Sequence, residues 1–557
     1  MDQYVIGIDV GTGSARAGVF DRTGALLAST RRPIALHRED GGIAEQCSAQ
    51  VWQAVCDSVR DSVAQAGVDP AQVAGLGFDA TCSLAVIGPS GQGLPVGDPA
   101  HPERDIIVWM DHRAVEQAAR INAQGHAVLA YVGGRISPEM QTPKLVWLRE
   151  HRPEIYRTAA HFLDLTDFLT WKATGALERS ACTVTCKWTY LAHESRWDDS
   201  YFRQIGLGDL ARDGFARIGA RVVDPGTALG QGLTPDAAAA MGLRPGTAVA
   251  AGLIDAHAGG VGTVAAGGEA TDCLGYVFGT SSCTMTTTRD PAFVPGVWGP
   301  YFSAMVPGMW LNEGGQSAAG AAIDQLVRMH PASARAAALA EAQGKALPHW
   351  LADRALALAP SPSQAVRLAD QLHVVPEFLG NRAPFADPHA RAVIMGLGME
   401  TEPDALVALY VAGICGLGYG LRQIIETQAR HGAPVQTIAV SGGAGAHPLT
   451  RQLLADATGV FIMKNFFESI PRSVEEQAQI DGAGTFRVFW SIVLPLMVAA
   501  LCGLFNGALI AFVGVQPIIA TLILFISGRG IAQVLTSGNL QTFTNPSFSG
   551  FSPAGTA

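Results

Sequence analysis

Apolar positions fall in short runs separated by glycine-rich turns from the first residues onward. Val5, Ile6 and Ile8 open a run that stops at Gly11-Thr12-Gly13-Ser14. Ala15 to Phe20 return, and Asp21-Arg22-Thr23-Gly24 turn the chain again into Ala25-Leu26-Leu27-Ala28. Runs of this length between turn residues predict strand, turn, strand, turn, strand. A helical period over Ala49 to Ala66 follows, then an unbroken apolar run from Val73 to Phe78 that predicts a buried strand. Strands and helices alternate to about Ile254, which is an α/β pattern.

A second unit begins near Asp255. It repeats the opening pattern: an apolar strand from Cys273, the turn Gly279-Thr280-Ser281-Ser282, and a returning strand to Thr286. Two such units facing each other is one reading; common turn chemistry at both places is the other. Thr437 to Val440 predict a buried strand, Ser441-Gly442-Gly443-Ala444 a tight turn, and Leu449 to Thr458 a helix. Pro360-Ser361-Pro362-Ser363 predict a surface loop. The pattern changes after Val460. Residues 488–528 are 41 positions without a charge, enough for one membrane span or two short ones broken at Gly514-Val515-Gln516-Pro517.

Composition sharpens this division. The chain of 557 residues is too long for one core, and its charged fraction of 15% falls below the usual quarter, with none of the charges in that one segment. A net charge of −10 argues against nucleic acid as a partner. Nine scattered cysteines include no CxxC pair. Cys182 and Cys186 are four apart, with no matching pair nearby in sequence, so zinc is not expected and a reduced cytoplasmic compartment is. The N-terminus shows no signal-peptide pattern.

The Walker pattern GxxxxGK[ST] is absent, and Gly260 to Ala265 match GxGxxA without the strand that a dinucleotide site needs. Asp9-Val10-Gly11-Thr12-Gly13-Ser14-Ala15-Arg16 is more informative. Gly11 and Gly13 let backbone N–H groups approach phosphate oxygens, Thr12 and Ser14 add hydroxyl donors, and Asp9 can hold Mg²⁺ through water. A hairpin turn with a capping Asp is the bland alternative.

This motif resembles the first phosphate loop of the FGGY carbohydrate kinases, within the actin-like ATPase superfamily. Further stretches match in order. Gly252 to Gly260 resemble the catalytic-base segment, and Val277 to Ser281 the second phosphate loop. Phe378 to Pro384 resemble the Gly-x-Arg-x-Pro segment, Leu409 to Glu426 the signature helix, and Ser441 to Ala444 the adenosine-binding turn. Within the family, Gly77 to Ser83, Trp109 to Arg113, Cys186-Lys187-Trp188 and Asn312 to Ser317 resemble ribulokinases.

The resemblance implies two ribonuclease-H-like domains around a cleft, over 1–254 and 255–460, with an apolar helical tail over 461–557. It implies ATP and Mg²⁺ as cofactors and a ketopentose such as D-ribulose as the acceptor. Asp255 would be the general base. Asp9, Gly11, Thr12, Gly13, Ser14, Arg16, Gly279, Thr280, Ser281, Gln316, Gly442, Gly443 and Ala444 would serve the nucleotide. Asp79, Thr81, Trp109, Asp111, Lys187 and Glu313 would line the sugar pocket, and His257 would be structural. Such kinases add another strand and closing helices after the helix at Leu449, so the second domain is expected to be truncated. Instead, Glu476 to Ala483 with Ile492 to Pro495 resemble the coupling loop of ABC-transporter sugar permeases, and Leu501 to Gly538 a ribose-type permease. The tail therefore leaves open membrane association through 488–528, and the kinase part leaves open a homodimer. An inactive fusion of a truncated kinase with a permease fragment is the alternative to an active cytoplasmic enzyme.

Overall fold

The structure is a computed structural model that describes residues 3–267 and 269–459. Its frame is two mixed sheets built by the same path. In the first, β2 (Ser14–Phe20) pairs antiparallel with β1 (Tyr4–Gly11) on one side and β3 (Leu26–Pro33) on the other. A long helix, α1 (Ser48–Ala66), packs on β2 and β3. It ends at Gly67, whose left-handed backbone (φ 65°) caps the last turn. The chain then adds β4 (Val73–Ala80) parallel to β1, on the side away from β2. Ile6, Ile8, Val10 and Ala17 fill the interior of this sheet, so the alternation read from the sequence places one face in the core.

A short helix, α2 (Ala181–Trp188), stands beside the crossover between the halves. Two short strands, β5 (Ala248–Val249) and β6 (Leu253–Ile254), both pair parallel with β4. Helix α3 (Asp255–Gly267) begins at the residue after β6. It packs on the second sheet and also touches β1 and β4, so it links the two halves.

The second sheet repeats the first. β7 (Cys273–Phe278) and β8 (Ser282–Thr288) form an antiparallel hairpin. β9 (Trp298–Phe302) and β10 (Trp310–Gln316) extend it on the β8 side. Helix α4 (Pro403–Arg430) packs across its outer layer. β11 (Thr437–Ser441) then pairs parallel with β7, as β4 does with β1, and α5 (Pro448–Thr458) follows. Both expected strand–turn–strand units are thus present, and the shared order of parallel strand, first strand and second strand favours related halves over common turn chemistry, although β10 and not β9 lies beside β8. The stretch after Pro360 forms a short 3-10 helix at Ser363–Ala369.

Among the described residues, α4 alone is long and apolar enough to cross a membrane, yet 72% of its most apolar window is buried inside the protein. Leu406, Val411, Leu417 and Leu421 fill the core between α4 and its neighbours, so its apolar character is accounted for by packing. The expected apolar span at 488–528 and the permease-like segments lie outside the described residues.

Candidate active site

Three parallel strands end side by side in the first half. The register aligns Asp9 of β1 with Asp79 of β4, and Leu253 of β6 with the same Asp79. Asp255, two residues after Leu253, therefore emerges next to both. Carboxyl ends of parallel strands are where such sheets place ligand sites. Here three carboxylates meet at the wall of one cavity of about 640 Å³.

The opposite wall comes from the second half. Gly279, Thr280 and Ser281, the turn between β7 and β8, line the cavity, with Ala256, Ala258 and Gly259 from the first turns of α3. The turn is fixed in shape: the Gly279 N–H donates to the Ser281 carbonyl at 2.9 Å, and the Ala319 and Ala321 N–H groups donate to the Thr280 carbonyl at 2.9 and 3.0 Å. Gly11 and Thr12 face it from the first half. The Thr12 carbonyl accepts from Gln46 Nε2 at 2.7 Å, and the Trp109 indole N–H donates to Thr12 Oγ1 at 3.0 Å, so this turn is held from both sides. Arg16 pairs with Asp9 at 2.7 Å on an open edge of the site.

A third group of side chains closes one end. Lys187 from α2 lies 4.0 Å from Glu313 of β10, and both are almost fully buried. The Lys187 ammonium sits 4.7 Å from the centre of the Trp298 ring, a cation–π contact. His257 Nε2 approaches Glu313 Oε2 at 3.5 Å from behind. Thr81, Trp109, Glu139 and Arg382 also line the cavity, with Cys82, Ile254, Val277 and Cys283 as its less polar part.

Electrostatics follow from this crowding. Burial, reinforced by the charges of Asp9 and Asp255, pushes Asp79 up to about 8. Burial likewise raises Asp255 to about 6, although the Ala256 N–H it accepts at 2.8 Å works the other way. Burial would raise Glu313 too, but the charges of Lys187 and His257 win and hold it at about 2. One end of the cavity is thus a fixed ion pair, and the other holds carboxylates whose charges repel. Converging oxygen donors of this kind suit a hard divalent cation, which removes the repulsion.

Of the residues expected from sequence, Asp9, Gly11, Thr12, Arg16, Asp79, Thr81, Trp109, Lys187, Asp255, Gly279, Thr280, Ser281 and Glu313 line this one cavity. Asp111 does not. It is fully buried in a clamp, accepting from the Ala44 N–H at 2.7 Å and from Arg113, which also reaches Glu45. Gln316 also points elsewhere: its carbonyl accepts from Tyr276 Oη and Ser282 Oγ, and its amide donates to the Leu417 carbonyl. With both ends of the amide occupied, it ties the sheet to α4 instead of facing a nucleotide.

Gly13 and Ser14 complete the first turn without lining the cavity, Ser14 being buried at the head of β2. Gly442, Gly443 and Ala444 sit outside the cavity, on the turn after β11. Gly442 has φ 95°, and a Cβ there would lie 2.4 Å from the Phe278 carbonyl, so only glycine lets this turn close on β7. Glu139, Trp298 and Arg382 were not anticipated as site residues. Arg382 lies in a segment whose resemblance was noted, whereas nothing local distinguishes Glu139 or Trp298.

Comparison with known proteins agrees with this geometry over the described chain. Residues 4–262 match the N-terminal domain, and residues 274–467 the C-terminal domain, of the FGGY family of carbohydrate kinases. The chain belongs to that family. It is 46% identical over 470 residues to the human FGGY carbohydrate kinase domain-containing protein, covering 82% of this chain and 85% of the relative. It is 36% identical over 505 residues to a D-ribulokinase of Saccharomyces cerevisiae, covering 85% and 70%. A solved xylulose kinase from Rhodospirillum rubrum, 22% identical, shares the fold with a TM-score of 0.66 over 82% of this chain and 85% of its own. FGGY kinases are phosphotransferases that move a phosphoryl group from ATP to a sugar, generally with a divalent metal. Residues 455–553 match the inner membrane component of binding-protein-dependent transport systems.

Proposed function

We propose that this FGGY kinase phosphorylates a terminal hydroxyl of a ketopentose of the D-ribulose type, with Asp255 as general base. The observation that carries the reading is one cavity in which Asp255 meets both glycine turns and the Lys187–Glu313 pair. A phosphoryl transfer asks the protein mainly for positioning and charge stabilisation. The turns at Gly11–Thr12 and Gly279–Ser281 offer backbone N–H groups and hydroxyls for phosphate oxygens. Gly442 to Ala444, beyond the Gly279 turn, would serve the adenosine end. Asp9, with Asp79 beside it, would hold Mg²⁺ through water, and the ion would neutralise charge on the phosphates.

Lys187, Glu313, Thr81 and Trp109 would orient the sugar, since a polyol needs fixed donors and acceptors. Asp255 accepts the hydroxyl proton as the sugar oxygen bonds to the γ-phosphorus, and the bond from that phosphorus to the bridging oxygen breaks to leave ADP. D-ribulose as acceptor rests on the resemblance of residues 77–83, 109–113, 186–188 and 312–317 to ribulokinases, and on the name of the yeast relative.

The test is ADP release from the detergent-solubilised full chain, with D-ribulose, L-ribulose, D-xylulose, ribitol and glycerol offered separately and Asp255→Asn run in parallel. Turnover on D-ribulose above the other sugars, lost in the variant, supports the reading; equal turnover on glycerol sinks the sugar assignment. The match at 455–553 favours a second reading, an inactive fusion carrying a permease fragment. It predicts a membrane-bound chain with no ADP release on any sugar.

A further inference from the structure

Two cysteines take no part in the reaction above, yet they stand directly behind its sugar end. Cys182 and Cys186 are one helical turn apart on α2 and share a face. That face meets His257 of α3, brought 71 residues along the chain to within 3.7 Å of Cys186 Sγ. The two sulfurs and a ring nitrogen of His257 all lie within 4.8 Å of one another, and all three residues are fully buried. The absence of a metal-ligand partner near the two cysteines in sequence is therefore made good in space.

The spacing fits a tetrahedral ion. With Zn–S about 2.3 Å and Zn–N about 2.1 Å, a tetrahedral angle separates sulfur from nitrogen by about 3.6 Å. The Cys186–His257 distance is 3.7 Å, so this edge of the tetrahedron is already formed. Cys182 Sγ accepts the Ile254 backbone N–H at 3.4 Å, a contact that stabilises a thiolate. A second feature points to a carboxylate beside this three-residue cluster. Glu313 Oε2 is buried without a hydrogen-bond partner and lies 3.5 Å from His257 Nε2.

We propose that Cys182, Cys186 and His257 form a site for a thiophilic divalent cation of the Zn²⁺ class, with the Glu313 carboxylate as fourth ligand. Two thiolates and an imidazole select such ions over Mg²⁺, so the site does not compete for the ion that serves the phosphates. Glu313 also lines the cavity, and its carboxylate serves either the metal or the sugar. This coupling, unlike the site itself, rests on the reading of Glu313 as a sugar contact.

The test uses the full chain, reduced and stripped with a chelator, then titrated with Cd²⁺ while thiolate-to-metal absorption is followed in the ultraviolet. One Cd²⁺ per chain is expected, displaced by Zn²⁺. The signal should fall in Cys182→Ser and in Cys186→Ser, vanish in the double variant, and persist in Cys47→Ser/Cys283→Ser. Circular dichroism and the melting temperature show whether each variant is folded. His257→Gln, which keeps both thiols, should weaken Cd²⁺ at least about tenfold. An undiminished signal in the Cys182/Cys186 double variant, or no stoichiometric signal in the parent chain, overturns the site. Saturating D-ribulose should weaken Cd²⁺ binding at least about tenfold, and Cd²⁺ should weaken the sugar equally. Unchanged Cd²⁺ affinity in sugar overturns the role of Glu313 as a shared ligand. Intact turnover without Cd²⁺ binding overturns the site and leaves the kinase reading standing.

Discussion

Asp255 owes its chemistry to where its strand ends. Burial and the nearby Asp9 charge raise its carboxyl to about 6 against the pull of the Ala256 N–H. On the proposed reading Asp255 is the general base, which works only when ionised, so this group would set the acid limb of the rate profile. kcat/KM is expected to fall about tenfold per pH unit below about 6 and to level off above it. Asp255→Asn should lose about 10²–10⁴-fold in kcat and abolish that limb; a variant with the parent's profile would show that another group takes the proton. At the other end of the cavity, Lys187→Met leaves Glu313 buried with His257 and Arg382 as its remaining charge partners. Removing one member of a buried pair costs about 3–5 kcal/mol, whereas removing both charges is close to neutral. Urea unfolding should therefore show Lys187→Met/Glu313→Gln as more stable than Lys187→Met alone, although sugar binding stays lost. Residue identity was legible in sequence where chemistry is packed into a short segment, as at Asp9–Arg16 and around Asp255. It failed for Asp111, because an acidic residue in a resembling motif looks the same whether it faces a ligand or an Arg113 clamp. It failed for Glu139 and Trp298, because only the fold brings them to the cavity.

At the scale of elements, the strand–turn–strand units were legible twice because glycine turns punctuate short apolar runs, and each run has one place to go in a sheet. Helix α4 shows the limit of such reading. Its composition is that of a membrane span, and only its neighbours identify it as core. Close approach through its glycines is what makes it so: a Cβ at Gly416 would lie 2.2 Å from the Val374 carbonyl, and one at Gly413 2.6 Å from Leu326 Cδ1. Backbone cannot yield as a flexible side chain can. Gly416→Val is expected to cost at least about 1–3 kcal/mol by overpacking, and Gly262→Ala, at a helical position of α3 where a Cβ meets nothing within 4 Å, much less. Thermal melts of the two variants compare them directly. Equal melting temperatures would mean that α4 shifts to make room and that its seating is looser than the geometry implies.

For the whole molecule, the two sheets with one path set both halves of the reaction in a single cleft, and α3 touches both. A γ-phosphate poised beside a hydroxyl is also poised beside water, so the cleft must close before transfer or ATP is hydrolysed. The structure shows where the halves are fastened. Tyr131 of the first half meets Phe293 and Trp310 of the second, and His193 meets Trp310, at ring distances of 4.9–6.1 Å, and the Gly133 N–H donates to the Gly299 carbonyl at 3.1 Å. An aromatic cluster resists sliding but tolerates rotation about itself, so closure is expected to pivot there. Small-angle scattering with sugar and a non-hydrolysable ATP analogue together should give a smaller radius of gyration than either ligand alone. Asp255→Asn should close equally well, because the base takes no part in the motion. Trp310→Ala, which empties the centre of the cluster, should loosen the pivot. Its signature is a raised ratio of ATP hydrolysis to sugar phosphorylation, since a cleft that closes imperfectly admits water. An unchanged ratio in a folded Trp310→Ala protein would place the pivot elsewhere, with the β6–α3 junction at Ile254–Asp255 the next position to test.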